Sequence, residues 1–262
     1  MEVVYEDNHI IIVNKKSGEI VQGDKTGDRP LSDIVKDYIK EKYDKPGAVF
    51  LGVVHRLDRP VSGLVVFART SKALSRLNKM FAEGEVHKTY WAIVRRREGE
   101  KERRREGNRS QESGDRSQES GDRRQETGVR SQESGEWQTL THWLVRNEKQ
   151  NKSYAYDHEK PNAKKAVLKF RVLSHSDNYS LLEVNLMTGR HHQIRCQLAA
   201  MGCPIKGDLK YGAPRSNPDG SISLMSRRVE FVHPVSKEMI IAEAPLPDDK
   251  LWRALDEGRW KM

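Results

Sequence analysis

At 262 residues the chain is long enough to bury a substantial core as one large domain or two small ones, yet only 35% of it is hydrophobic and 32% is charged. No stretch approaches the ~20 apolar residues that a membrane-spanning helix demands. The formal net charge of +9 suits an anionic partner, with nucleic acid the commonest, and on charge alone suits equally a basic protein that has none.

The opening stretch MEVVYEDNHIIIVNKK has a short apolar run preceded by acidic residues, which does not make an export signal. Cys196 and Cys203 fit no zinc-finger spacing, so a reduced, cytoplasmic setting is expected. In chain order, HIIIVNKK predicts a strand. LSDIVKDYIKEKY predicts a helix, with Leu31, Ile34, Val35, Tyr38 and Ile39 at helical spacing. GLVVFART predicts a strand, after which Ser71 is placed to N-cap the helix KALSRLNKMFAEG and Gly84 to stop it. VHKTYWAIV and WQTLTHWLV predict two strands, and KKAVLKFRVL with YSLLEVNLM predicts a hairpin. RHHQIRCQLAAMG predicts a helix ending at Gly202, and SRRVEFVH and EMIIAEAP two strands about the turn HPVSK. Many strands and few helices imply an α+β fold built on a mixed, largely antiparallel sheet.

Residues 109–136 stand apart as four tandem units, RSQESGD, RSQESGD, RRQETGV and RSQESGE. Each unit carries a glycine and none has an apolar seam, which excludes a coiled coil. Between Arg95 and Glu136 the sole aliphatic residue is Val129, so composition predicts a disordered insert at about 97–136. The stretch 95–136 has 12 Lys/Arg and 11 Asp/Glu, so +8 of the net charge belongs to the rest of the chain. The expectation is a loop expansion between two strands; an RNA-contacting arm is the alternative.

Three constellations carry chemistry. In HRLDRPVSG, Asp58 lies between Arg56 and Arg59 and just ahead of an apolar strand. It reads either as a structural ion pair at a strand start or as a nucleophile or base kept ionised by a cation. In HKTYWAIV, Lys88 and Tyr90 fall on one strand face and Trp91 on the other, so the first two can share a cleft. In TGRHHQIRCQLAAMGCPIKGDLKYG, Arg190 and Arg195 sit at an expected helix start, with His191, His192 and Gln193 between them, as an anion site. A metal held by His191 and His192 is not expected, because adjacent helical residues diverge by about 100°.

Together these segments resemble the RluA family of pseudouridine synthases. The match rests on HRLDRPVSG (55–63), KTYWAIV (88–94) and the long motif at 188–212, flanked by YEDNHIIIVNKKSG and FVHPVSKE. The resemblance implies a bent sheet with flanking helices and a central cleft, the pseudouridine synthase fold, in a single domain over 1–262 interrupted by the insert. It further implies isomerisation of uridine in ribosomal or transfer RNA, with no cofactor and no metal, by a monomer lacking a separate N-terminal RNA-binding module.

By that resemblance Asp58 is the nucleophile, Arg195 pairs with it, and Tyr90 stacks on the base and serves proton removal at ring carbon 5. Arg56 enters the helix as the base leaves, and Lys88, Arg190, His192 and Gln193 contact RNA. The arginines around Asp58 would keep it charged and manage the RNA. Gln197 stands where relatives commonly carry a histidine, and packing is its expected role. The alternative is an RNA-binding protein of the same fold without turnover.

Overall fold

The computed structural model describes residues 1–96 and 135–258; the repeat insert, except its last two residues, lies outside them. In chain order the strands begin with β1 (Glu2–Glu6), β2 (Ile10–Lys15), β3 (Gly52–Val53), β4 (Ser62–Ala68) and β5 (His87–Arg95). They continue with β6 (Gln138–Asn147), β7 (Lys152–Tyr156), β8 (Lys164–His175), β9 (Tyr179–Leu186), β10 (Leu224–Val232) and β11 (Met239–Glu243). The helices are α1 (Leu31–Lys42), α2 (Ser71–Glu83), α3 (Gln193–Ala200) and α4 (Lys250–Gly258).

All eleven strands form one sheet in the order β1-β2-β4-β10-β5-β9-β8-β6-β7, with β11 on β10 and β3 on β4. One contact is parallel, β10 with β4; the others are antiparallel, as the α+β expectation required. Ile10 to Val13 are all fully buried, because both faces of the sheet are covered. Helices α2 and α4 cover one face through Ala73, Leu77, Trp252 and Leu255. The other face packs Leu31, Val35 and Ile39 of α1 and Ile194 and Leu198 of α3. Tyr90 belongs to this second face and Trp91 to the first, as strand alternation demands.

The parallel contact is short, pairing Met225 with Ser62 and Ser226 with Gly63. Gly63 has φ +108°, and a Cβ there would lie 2.3 Å from the Ser226 carbonyl oxygen. Only glycine lets the two backbones approach so closely. The loop from Val54 to Val61 lies between β3 and β4, ends at this crossing and carries Asp58.

Several expectations need correction. Thr70, not Ser71, N-caps α2: its hydroxyl accepts from the Ala73 N–H, while Gly84 ends the helix in the left-handed region as expected. The third helix begins at Gln193, three residues later than its pattern suggested, because His192 is held at φ 51°, ψ 28°. Between β5 and β6, the two strands that the insert connects, the sheet places β9 and β8. Strands β1 and β7 and helix α4 had no place in the sequence reading.

Candidate active site

Asp58 lies at the base of a cleft of about 1280 Å³ that also takes in Tyr90, Arg195, Arg56, Lys88 and His192. Its loop is clamped by its own carbonyls. The Lys15 ammonium donates to the carbonyls of Lys16 (3.0 Å), Arg59 (3.1 Å) and Val61 (2.6 Å). The Gly18 N–H also reaches Arg59 O, and the Ile222 N–H reaches Pro60 O. Lys15 has no exposed surface, and burial pulls its pKa down to about 8 although the Glu19 and Asp58 carboxylates favour the charge.

At the start of the loop, His55 Nε2 accepts the Val66 N–H at 3.0 Å, a donor that short β3 leaves without a strand partner. Burial, with Lys88 nearby, lowers the His55 pKa to about 3, so the imidazole stays neutral and keeps that lone pair.

Arg195 Nη1 donates to Asp58 Oδ2 at 3.0 Å, which brings together two residues 137 apart in the chain. The same guanidinium makes two bonds to Asp208, Nε to Oδ2 at 2.7 Å and Nη2 to Oδ1 at 2.9 Å. Burial works against the charge on Arg195, but the two carboxylates outweigh it and raise its pKa. Asp208, whose side chain is 1% exposed, was not singled out in the sequence. It lies 13 residues after Arg195, and no local pattern marks such a pairing.

The flanking arginines do not hold Asp58. Arg59 is tied to Asp28, Thr26 and Asp24 in another loop, and Arg56 is exposed at the cleft. Tyr90 is 6% exposed; burial and the Asp58 carboxylate push its phenol pKa up, so it is neutral at ordinary pH.

Of the two arginines of the expected anion site, Arg195 lies in the first turn of α3 and is committed to carboxylates, while Arg190 Nε donates to Lys165 O. Gln193 is internal as well: Oε1 accepts from Thr188 Oγ1 and the Arg190 N–H, and Nε2 donates to Val167 O. His192 is buried and faces Asp58, and both residues line the cleft. The His191 and His192 rings stack with centroids 3.8 Å apart, a geometry that non-helical backbone permits. Gln197 is fully buried and donates to His142 and to the carbonyls of Leu140 and Ala166, a packing role as expected. Among the described residues no three His, Cys, Asp or Glu side chains could hold a metal ion, and no helix is long and apolar enough to cross a membrane.

The sequence profile of the RNA pseudouridylate synthase family matches residues 9–200. The chain belongs to that family. A tRNA pseudouridine synthase C of Vibrio vulnificus is 30% identical over 98% of this chain and 94% of its own length. The ribosomal large subunit pseudouridine synthase C of Vibrio cholerae is 27% identical over 93% of this chain, which spans 65% of that relative's length. In structure, the human RNA pseudouridylate synthase domain containing 4 superposes with a TM-score of 0.68 at 19% identity, covering 99% of this chain and 93% of its own, which shows the shared fold. Within this pseudouridine synthase fold the cleft also carries two cations the sequence reading missed, Arg146 and Lys169. They come from strands β6 and β8, beyond the recognised motifs.

Proposed function

We propose that the chain isomerises uridine to pseudouridine in ribosomal or transfer RNA, with Asp58 as nucleophile. The observation that carries this is one carboxylate fixed by a buried guanidinium at the base of a large cleft with arginine and lysine along it. The second carboxylate, Asp208, is sealed behind Arg195. It does not flank a substrate as the paired carboxylates of glycosidases do, which favours isomerisation over hydrolysis.

Asp58 bonds to ribose C1′ as the bond from C1′ to ring N1 breaks, and the uracil leaves with the electron pair on N1. The uracil turns, C5 bonds to C1′ as the bond to Asp58 breaks and frees the carboxylate, the C5 proton leaves and N1 takes one up. Atoms and electrons balance within the base, so the reaction needs no cofactor. Flipping the base out of its stack costs a few kcal/mol, which an aromatic platform and an inserted side chain offset. Tyr90 is that platform, and Arg56 is placed to enter the vacated position. A neutral phenol must pass on its own proton before accepting another, so Tyr90 is a relay rather than a resting tyrosinate. Arg195 holds Asp58 in place through its Nη1 bond, and Lys88 and Arg190 contact RNA phosphates. A monomer in the reducing cytoplasm is part of the same reading, with which two buried cysteine thiols agree.

The test is tritium release from RNA labelled at uridine C5, with ribosomal and transfer RNA assayed separately. Wild type releases tritium from one of them, and Asp58→Asn binds the same RNA without release. Binding without release by wild type on both RNAs would favour the RNA-binding protein over the enzyme.

A further inference from the structure

The cluster around His192 lies in the same cleft, and the inference rests on the reading of Asp58 as nucleophile. Tyr211, on the short 3-10 turn Leu209–Tyr211, accepts the Ser153 N–H of β7 on its phenol oxygen at 2.8 Å. That phenol lies 3.0 Å from His192 Nδ1. On its other side the imidazole presents Nε2 to Asp58 Oδ2 at 3.4 Å. Two tautomers are conceivable. With the proton on Nδ1, the Nε2 lone pair would face a carboxylate oxygen, which is repulsive. With the proton on Nε2, every group in the row finds its complement: Ser153 N–H to Tyr211 O, Tyr211 O–H to His192 Nδ1, and His192 Nε2–H toward Asp58 Oδ2.

We infer that His192 is a positioning residue for Asp58, its tautomer set by Tyr211, and that together with Arg195 it pins Oδ2 so that Oδ1 is the oxygen turned to the substrate. Both donors converge on Oδ2, and among the described residues no hydrogen bond reaches Oδ1. At 3.4 Å the His192 contact is just longer than an ordinary N–H···O bond, a gap that catalytic contacts close when substrate binds.

The ring contributes a dipole, not a charge. Burial, then Arg195, His191, Lys210 and Arg146, lower its pKa to about 2. The groups facing Asp58 are then Arg195, neutral His192, neutral Tyr90 and, from beneath the loop, Lys15. The left-handed backbone of His192, φ 51°, turns the ring inward ahead of α3. The same backbone gives the adjacent His191 a different partner set, Ser153 Oγ and Asn151.

Two measurements test this, one of them independent of turnover. Long-range proton–nitrogen NMR of the free protein should show the His192 ring neutral and protonated on Nε2 from pH 5 to 8, with Tyr211→Phe shifting it toward a mixture of tautomers. A proton on Nδ1, or a charged ring, overturns the inference whether or not the RNA substrate has been found.

In the tritium assay, His192→Phe should lower kcat about 10- to 100-fold with KM for RNA within about twofold of wild type. His192→Gln, whose amide can place an N–H where Nε2 stood, should recover most of the loss, and Tyr211→Phe should fall between. A rise in KM with unchanged kcat would mean that His192 binds RNA. Equal loss in the Phe and Gln variants, tracking the folded fraction, would reduce it to packing. Either result overturns the positioning role. Failure of wild type on every RNA would instead count against the proposed function and leave the NMR result to decide this one.

Discussion

Replacing Arg195 by methionine keeps much of the side-chain volume while deleting three hydrogen bonds, of 2.7, 2.9 and 3.0 Å. The consequence for stability lies mainly with Asp208, whose side chain is 1% exposed and would be left as an uncompensated buried charge. Removing one partner of a buried pair costs about 3–5 kcal/mol. Asp58 is 32% exposed, so water screens its share and adds little. For a protein of this size the loss lowers Tm by on the order of 10 °C. The double variant Arg195→Met, Asp208→Asn removes the stranded charge, so urea unfolding should return most of the stability. Tritium release should stay abolished in both, because Asp58 still lacks its cation. A single variant that loses less than about 1 kcal/mol would refute the buried-charge argument. Turnover restored in the double variant would refute the role given to Arg195.

Gly63→Ala forces a Cβ to 2.3 Å from a backbone oxygen at φ +108°, and should cost about 3 kcal/mol or more in urea unfolding and reduce turnover; a loss under about 1 kcal/mol would show that the β4–β10 crossing is not tight. Lys15 has a folded pKa of about 8 against 10.5 for the free side chain, so the unfolded chain binds more protons between those values and stability rises with pH there. From pH 8 to 10 that rise should reach about 2 kcal/mol in wild type and vanish in Lys15→Met, and equal slopes would contradict the buried-ammonium assignment. Arg190→Gln should flatten the log–log salt dependence of RNA binding by about 0.7, whereas Gln193→Ala should leave the slope as it is, because that amide is spent internally. Deleting residues 100–134 should leave Tm within a few degrees, since their composition offers nothing to bury; a larger fall would show that the insert packs.

The periodicities of α1, α2 and the β8–β9 and β10–β11 hairpins were legible because each carries an apolar repeat of its own or lies beside a turn signal. The residues Asp58, Tyr90 and Arg195 were legible because their motifs are long and ordered. Strands β1 and β7, at five residues each, and α4 carry too little pattern of their own; they exist because the sheet edges and the second core supply partners.

Residue types at the site were thus determined by sequence alone, and partners were not. A string of residues cannot say that Arg195 grips Asp208 as well as Asp58, that Lys15 reaches under the Asp58 loop, or that His192 turns inward. Each of those depends on where backbone carbonyls and carboxylates arrive once distant strands have paired. A buried charge or dipole takes whichever partners the closed fold leaves within about 3 Å. The tertiary structure therefore decided that Arg195 is shared with Asp208 and which histidine faces Asp58.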